Sequence, residues 1–525
     1  MEEPVSRIVH SISERLLQYL VGLMLHVVDW ETRLRNGNLT ISHLKYELDE
    51  TLRTLCVLDE AVALLEASRD CGEALDELWN LSFKYQHVGP LKQVCDAILI
   101  AGLDPYMGIV SHYCTHGSTD LDVFEEVFLK RIHAEYSVEG LRSCPSRLEN
   151  YSDLIIRSGT NTSLLNSLGH QPLSVVCPET RVFITDEHLV AKFFTECVST
   201  SSSELFRAID SASSILETIR WFHQHLLLVQ ADWFSDLIEK FLPILEKPLK
   251  LVDCSQIDEF LATVPRSPLS EMHAFAIEDM FGPGGCFKTL NELKEETTSI
   301  PLMRAFTLNP RIEFPLTLVF SDSAIFKYQS VFRILSYARI VSIKLGRLWL
   351  DFQSFKFIGD GCVLFSANIL LKKMTHFVHN YLFFLNVDVV RVGIAKLHED
   401  IRGTENIESV KQSVETCIDE ILIGCCISPV CVRSVNKVLG TCLLFASHMS
   451  RFVCMQSNTD EDELIRITQE EQYIGLIAKF EDAFQGQLNS LLVQLKHYVG
   501  GDRTRALALV AKIDYNDYYS ETIGL

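Results

Sequence analysis

Residues 324–349 read AIFKYQSVFRILSYARIVSIKLGRLW, and this stretch decides the fold class. Its apolar side chains recur every three or four residues, at Ile325, Tyr328, Val331, Phe332, Leu335, Ala338, Val341, Leu345 and Leu348. This spacing matches the turn of an α-helix and predicts one long helix with a buried stripe. Ser321 and Asp322 precede it and are residue types that cap helix N-termini, so the helix is expected to begin there.

The same periodicity covers much of the chain, at residues 12–34, 41–65, 213–229, 370–385, 430–452 and 471–495. Strand-like runs are few. Residues 173–176 and 181–184 flank a Pro-containing turn and predict a small hairpin, and residues 316–320 predict another short strand. The expected fold is therefore mainly α: an elongated stack of helical bundles with a minor β element.

The chain of 525 residues is too long for a single core, so two halves are expected. Ser199–Ser203 is a polar, low-complexity run before a strong helical pattern. We place the domain boundary there, giving an N-terminal half of residues 1–205 and a C-terminal half of residues 206–525. Glycine-containing segments at 282–285 and 357–361 interrupt the helical pattern of the second half.

Composition excludes several classes of protein. The formal net charge is −22 and no cluster of Lys and Arg is present, which argues against nucleic-acid binding. The sixteen cysteines lack zinc-type spacing and are interpreted as small buried hydrophobes of a reducing compartment. The acidic N-terminus has no signal-peptide core, and no uninterrupted apolar run suggests a membrane span. We expect a cytosolic protein.

No motif in the sequence indicates a catalytic reaction. The segment 282–289, GPGGCFKT, departs from a phosphate-binding loop because Phe precedes the Lys. His223 and His225 lie on different faces of a predicted helix, and His376 and His379 have no carboxylate or thiol beside them. We therefore predict no catalytic residues, no cofactor and no metal site, and a protein that is not an enzyme.

Aromatic residues cluster at Trp221-Phe222, Trp233-Phe234 and residues 381–384. Their helical periodicity favours a position in the core over a surface covered by a partner, although aromatic side chains are also enriched at interfaces.

The order of these segments resembles the gamma-tubulin complex component family. In the C-terminal half, 216–250 carries the family's Gln230, Asp232 and Phe234, with Ala231 in place of the usual Gly. The segments PLTLVFSDSAIFKYQSVF (315–332) and MTHFVHNYLFFLNVDVV (374–390) are similar to two further family motifs, and residues 438–452 to a C-terminal helix.

The N-terminal half is also similar, more loosely. Residues 82–85 (SFKY) match a short family turn, and Pro105-Tyr106 followed by 113–122 (YCTHGSTDLD) matches a second motif. Tyr113 stands where the family has Trp, and the family's Asp-Pro is missing from that loop. Residues 145–168 are similar to a further family helix.

The resemblance implies a helical scaffold that holds γ-tubulin. Residues 206–525 would bind γ-tubulin, and residues 1–205 would associate side by side with other complex components, a component-3-like neighbour among them. The assembled γ-tubulins would template microtubules from αβ-tubulin at a microtubule-organising centre such as a centrosome, spindle pole body or basal body. The resemblance also implies that the chain lacks the N-terminal extension of some relatives.

The resemblance also points to candidate binding residues. For γ-tubulin the candidates are whichever of four side chains face solvent: Phe377, Asn380, Tyr381 and Phe384. Phe377 and Tyr381 lie on the apolar stripe, whereas Asn380 and Phe384 are expected on one off-stripe face and are favoured. For lateral contacts the candidates are Tyr85, Tyr113 and Asp122.

Two alternatives remain open. One is an all-helical subunit of another assembly such as a vesicle-tethering complex, and the other is an enzyme with an unrecognised site.

Overall fold

The structure is a computed structural model. It describes residues 6–130, 138–170, 173–212, 214–248, 257, 259, 269–274, 302–310, 312, 314–354, 362–426, 429–458, 463–498 and 503–519. The chain divides into two compact units, Met1–Ala212 with Glu405–Ile407, and Ser213–Thr404 with Glu408–Leu525. The segment 282–289 and the loop 357–361 lie outside the described residues.

The first unit is a helical bundle with one small sheet. Its helices are α1 (Arg7–Arg35), α2 (Ile41–Ala67), α3 (Cys71–Lys84), α4 (Gly89–His116), α5 (Ser152–Ser167), α6 (Thr180–Thr185) and α7 (Glu187–Ala212). Strands β1 (Phe128–Lys130) and β2 (Val138–Leu141) pair antiparallel. Helix α4 packs against α1, α3 and α5, and it buries Ile98, Leu99, Leu103, Tyr106 and Val110.

The second unit is also mainly helical. Its helices are α8 (Ile215–His225), α9 (Asp232–Leu245), α10 (Leu302–Ala305), α11 (Asp322–Ser354), α12 (Cys362–Phe383), α13 (Val392–Ile401), α14 (Ile407–Cys426), α15 (Pro429–Asn458), α16 (Glu463–Lys496) and α17 (Arg503–Ile513). A π-helical segment, Phe384–Arg391, joins α12 to α13. Strands β3 (Leu269–Ala274) and β4 (Phe306–Pro310) pair antiparallel.

Helix α11 forms the centre of this unit, as its periodicity predicts. Its stripe is buried from Tyr328 to Leu348 and only Ile325 is partly exposed, and the helix packs against α12 and α15. The Ser321 hydroxyl accepts the backbone N–H of Ala324 at 3.2 Å, so the predicted cap is present. The mainly α fold class with a minor β element is confirmed.

Three predictions of local structure are wrong. Residues 173–184 do not form a hairpin: 180–185 are helix α6, and Phe183 packs edge-on against Phe193 of α7. Residues 316–320 do not form a strand: Leu316–Leu318 are a 3₁₀ turn, closed by the bond from the Leu318 N–H to the Pro315 carbonyl at 3.1 Å. In both places local hydrogen bonds and helix packing outweigh the β-propensity of the side chains.

The third concerns the polar run Ser199–Ser203, which was expected to interrupt the helical pattern but lies inside α7. The division of the chain near residue 205 stays a prediction. The hydroxyls of Ser199, Ser201 and Ser203 donate to backbone carbonyl groups one turn earlier, as Ser201 does to Val198 at 3.0 Å. The Ser202 hydroxyl instead donates to the side-chain oxygen of Asn406 at 2.5 Å. The serines are therefore hydrogen-bonded without a break in the helix.

Among the described residues, three helical stretches are long and apolar enough to cross a membrane by length and composition alone: Gly89–His116, Phe365–Ile401 and Val430–Cys454. Half of each apolar window is buried inside the folded protein, as expected of core helices. The absence of a membrane span stays a prediction.

Candidate partner-binding surface

The predicted γ-tubulin-binding residues lie where α12 runs into the π-helical segment. Within the described chain, this wider turn is held by α14, which approaches so closely that a Cβ on Gly424 would lie 2.7 Å from Cγ1 of Val389. The Arg505 guanidinium of α17 donates to the backbone carbonyl of Glu420 at 3.0 Å, and Glu420 belongs to α14, as Gly424 does. Side chains at this end of α12 therefore project from a tightly packed base.

Phe377, Tyr381 and Phe384 are all buried. The rings of Phe377 and Tyr381 stack with centroids 6.2 Å apart, and Phe377 meets Phe484 of α16 edge-on. The prediction that Phe384 faces solvent is wrong, because its exposure is 0%. It follows Phe377 by seven residues, which is two helical turns, so both belong to the same buried stripe.

Asn380 is the one member of the predicted set that stays partly exposed. Its amide lies 2.9 Å from Nε2 of His376, one turn earlier, and the His376 ring lies 6.0 Å from that of Tyr515. Asn380 therefore borders a group of aromatic side chains that the sequence interpretation did not include.

The exposed aromatic residue of this turn is Phe383, with 51% of its surface open, and Tyr515, whose ring contacts His376, exposes 73%. The Lys512 ammonium lies 4.2 Å from the Phe383 ring centroid and 3.1 Å from the Asp388 carboxylate. The cation and the ring attract one another and fix the position of the exposed ring. We call His376, Asn380, Phe383, Lys512 and Tyr515 the α12–α17 surface.

Two features of the sequence could have indicated this surface. Phe383 lies six residues after Phe377, about 120° around the helix from the buried stripe by helical-wheel geometry. Tyr515 belongs to the terminal run YNDYY, at 515–519.

Two of the three predicted lateral residues belong to the core of the first unit. The Tyr113 ring is 2% exposed, lies over Gly159 and contacts Phe128, with centroids 4.6 Å apart. The Asp122 carboxylate accepts the backbone N–H groups of residues 126, 127 and 128 at 2.9–3.2 Å, which orders the loop leading into β1. As surface contacts both predictions are wrong, because their motif positions serve packing and loop closure.

Tyr85 is only partly buried, at the end of α3. Its hydroxyl donates to the Glu60 carboxylate at 2.9 Å, and Lys84 pairs with the same carboxylate. Burial, and then the bond to Glu60, raises the pKa of Tyr85. A role for Tyr85 in lateral contacts stays a prediction.

Within the described ranges, no group of His, Cys, Asp and Glu side chains is placed to hold a metal ion. His223 and His225 point into different surroundings: His223 lies 6.1 Å from the His398 ring, and His225 stacks on Trp221. No disulfide joins the cysteines that the structure describes, and burial raises the pKa of Cys417 to about 12, so such buried thiols are packing residues.

The fold and this surface define a mainly helical, two-unit protein whose exposed aromatic groups suit protein contacts. Two family models match it: Gamma tubulin complex component N-terminal over residues 1–220, and Gamma tubulin complex component C-terminal over residues 215–519. The chain belongs to the gamma-tubulin complex component family. Members of this family are structural scaffolds and not enzymes.

Individual relatives are distant but extensive. Gamma-tubulin complex component 2 of Mus musculus is 20% identical over 98% of this chain and 64% of the relative. Component 2 of Arabidopsis thaliana is 20% identical over 92% of this chain and 75% of its own length. Spindle pole body component alp4 of Schizosaccharomyces pombe is 23% identical over 39% of this chain and 27% of its own length. The motifs KYQSVFR (327–333) and NYLFFLNVDV (380–389) resemble component 2 most, in agreement with the first two relatives.

Proposed function

We propose that this chain is a scaffold subunit of a γ-tubulin complex. Its C-terminal half, residues 206–525, binds γ-tubulin, and its N-terminal half, residues 1–205, associates with other complex components, including a neighbour similar to component 3. The observation that carries the proposal is the match to the C-terminal family model over residues 215–519. The exposed α12–α17 surface lies inside that range.

The α12–α17 surface has the properties of an interface centre. Aromatic side chains on a rigid base contribute most of the binding energy in protein interfaces, because little conformational freedom is lost when they are covered. Phe383 is already held by Lys512, and Asn380 and Lys512 supply polar groups beside it. We assign γ-tubulin to this surface.

The scaffold acts through effective concentration. Several γ-tubulins held side by side make the first contacts with αβ-tubulin quasi-intramolecular, so a nucleus need not assemble from free subunits. One relative is named a spindle pole body component, which supports a place at a microtubule-organising centre and the cytoskeleton for this chain also.

The test is capture of purified γ-tubulin by the full chain. Phe383→Ala is expected to weaken capture at least about 10-fold, because an aromatic anchor is removed from the centre of the contact. Phe365→Ala is the matched control, since Phe365 is an exposed Phe at the other end of the same helix. Equal affinities of both variants and the wild type would contradict the assigned surface. Failure of the wild-type chain to capture γ-tubulin would contradict the function itself.

A further inference from the structure

Helix α15 is basic in a protein that is acidic as a whole. The chain has a formal net charge of −22, yet residues 421–459 contain no Asp or Glu. Three cations of α15, Arg433, Lys437 and Arg451, lie within this stretch. They are spread over nineteen positions, so they form no cluster in the sequence.

The helix aligns these cations on one face. The exposed residues of α15 that the structure describes are Val430, Arg433, Lys437, Leu444, His448, Arg451 and Cys454. At about 100° per residue, all seven lie within about 60° of Arg433 around the helix axis. We give the name α15 stripe to Arg433, Lys437, Leu444, His448 and Arg451.

The cations of the α15 stripe are unpaired. In the part of the chain that the structure describes, none of the three lies within ion-pair distance of a carboxylate. Other lysines of the same unit, Lys327, Lys373 and Lys396, are each paired with one. A carboxylate of a partner can therefore pair with the stripe without breaking an existing ion pair.

The acidic residues of the neighbouring helix α16 point away from the stripe. The side of α16 that faces α15 is marked by Phe480, whose ring lies 5.8 Å from that of His448. Glu481 is paired with a lysine of α12 at 2.7 Å. Asp482 follows Phe480 by two residues, about 200° around the helix, and so lies on the far side of α16.

Helix α11 also packs against α15. The Lys344 ammonium of α11 lies 3.0 Å from the Ser447 hydroxyl of α15 and pairs with the Glu246 carboxylate. The carboxylate at this contact is therefore neutralised by a lysine. The local potential over the α15 stripe is positive although the net charge of the protein is negative.

The length and charge of the stripe identify its occupant as an extended acidic peptide segment. At 1.5 Å per residue, the distance along the helix from Arg433 to Arg451 is about 27 Å. An extended chain of about eight residues spans this length at about 3.3 Å each. Leu444, with 58% of its surface exposed, lies between the two basic ends and offers an apolar contact to the middle of the peptide.

Two other anionic partners fit the stripe less well. Single-stranded nucleic acids stack their bases on exposed aromatic side chains, and the exposed residues described on α15 include no Phe, Tyr or Trp. A membrane surface takes up a wide apolar helix face. The large apolar side chains exposed on the described part of α15 are only Val430 and Leu444.

We propose that the α15 stripe binds an acidic peptide segment of a partner protein. Carboxylates of the peptide pair with Arg433 and Lys437 at one end and with Arg451 at the other, and an apolar side chain between them covers Leu444. Exposed ion pairs are weak and screened by salt, so the contact is reversible and depends on ionic strength. This partner is additional to γ-tubulin, which we assigned to residues of α12 and α17.

The test is fluorescence anisotropy of a labelled peptide, EEGGLGGEE, titrated with the full chain in about 50 mM salt. The centres of its two Glu pairs are about seven residues apart, which matches the separation of the two basic ends. The wild type is expected to bind with a Kd below about 100 µM. Affinity should fall at least about 5-fold when the salt concentration is raised to about 0.3 M. The peptide QQGGLGGQQ is expected not to bind.

Variants of the chain locate the site. Arg433→Gln combined with Arg451→Gln removes one cation from each end and should weaken binding at least about 10-fold. Arg220→Gln combined with Arg402→Gln is the matched control, because both arginines are exposed in the same unit and lie outside α15. Leu444→Ser keeps every charge and should weaken binding about 3-fold or more, because the apolar contact is lost. Equal affinities of the two double variants would overturn the proposal.

Two competitors define the class of partner. A twenty-nucleotide oligo(dT) and vesicles containing anionic phospholipid should each bind the full chain more weakly than EEGGLGGEE does. Tighter binding of either one, lost in the Arg433→Gln and Arg451→Gln variant, would overturn the assignment to a peptide. Failure of the wild type to bind EEGGLGGEE at about 1 mM would overturn it also.

γ-Tubulin capture distinguishes the peptide site from the proposed function. The Arg433→Gln and Arg451→Gln variant is expected to capture γ-tubulin as the wild type does. Loss of capture by this variant would place the stripe in the γ-tubulin contact and overturn the separate partner. Failure of the wild type to capture γ-tubulin, with peptide binding intact, would contradict the function and leave the peptide site standing.

Discussion

At the scale of single residues, His223 links stability to pH. It is 4% exposed, and its Nε2 has no hydrogen-bond partner among the described residues. Burial, followed by the charge of His398, lowers the pKa of His223 to about 4. Between about pH 6.5 and 4 the unfolded chain binds a proton that the folded chain does not, so stability falls as pH falls.

The expected loss from this residue between pH 7 and 5 is about 2 kcal/mol of unfolding free energy. His223→Leu removes the titrating group from an apolar site and should flatten that part of the profile. Urea denaturation at a series of pH values measures it, with wild type as the reference. An unchanged slope in the variant would show that other groups set the acid sensitivity.

At the scale of elements, the crossing of α4 and α5 depends on one glycine. A Cβ on Gly159 would lie 1.9 Å from Cε1 of Tyr113, whose ring is buried against Phe128. Gly159→Ala should therefore lower the free energy of unfolding by about 3 kcal/mol or more, because neither helix can move without opening the core.

Gly346→Ala is the control, since nothing lies within 4 Å of its Cβ position in α11. It should stabilise by about 0.5–1 kcal/mol, and thermal unfolding compares the two. Equal effects of both substitutions would contradict the crossing.

Element length decides what the sequence can predict. Helix α11 repeats its apolar spacing over many turns, so its burial pattern is predictable residue by residue. The strand-like runs 173–176, 181–184 and 316–320 offer only four or five positions each, too few to distinguish a strand from a turn or a short helix, and tertiary packing selects the outcome. Residues 213–229 predict one helix, yet α8 ends at His225, and Leu228 adopts a φ of 49°.

Part of the candidate surface could also be predicted from the sequence, and part of it could not. Helical geometry alone places Phe384 with Phe377 in the core and Phe383 outside it, so that part was accessible from the sequence. The surroundings of Phe383 and His376 could not be predicted, because Lys512 contacts Phe383 and Tyr515 contacts His376 from a part of the chain more than 120 residues later. Burial of Tyr113 and Asp122 depends on Gly159 and on the backbone of β1, contacts that no local pattern reveals.

At the scale of the whole molecule, the proposed scaffold role needs two properties. We assigned γ-tubulin to the α12–α17 surface and association with neighbouring components to the N-terminal half, residues 1–205. A template needs both, because a captured γ-tubulin without a neighbour gives αβ-tubulin only one site to bind. Variants that separate the two properties therefore test the scaffold mechanism.

Microtubule nucleation from purified αβ-tubulin, γ-tubulin and this chain provides that test. Phe383→Ala is expected to lower the nucleation rate, and higher γ-tubulin concentrations should restore it, because the N-terminal half that associates with neighbours is unchanged. Phe365→Ala should nucleate as the wild type does, since Phe365 lies at the other end of α12. A wild-type rate for Phe383→Ala at low γ-tubulin concentration would mean that γ-tubulin is held by some other surface of the molecule.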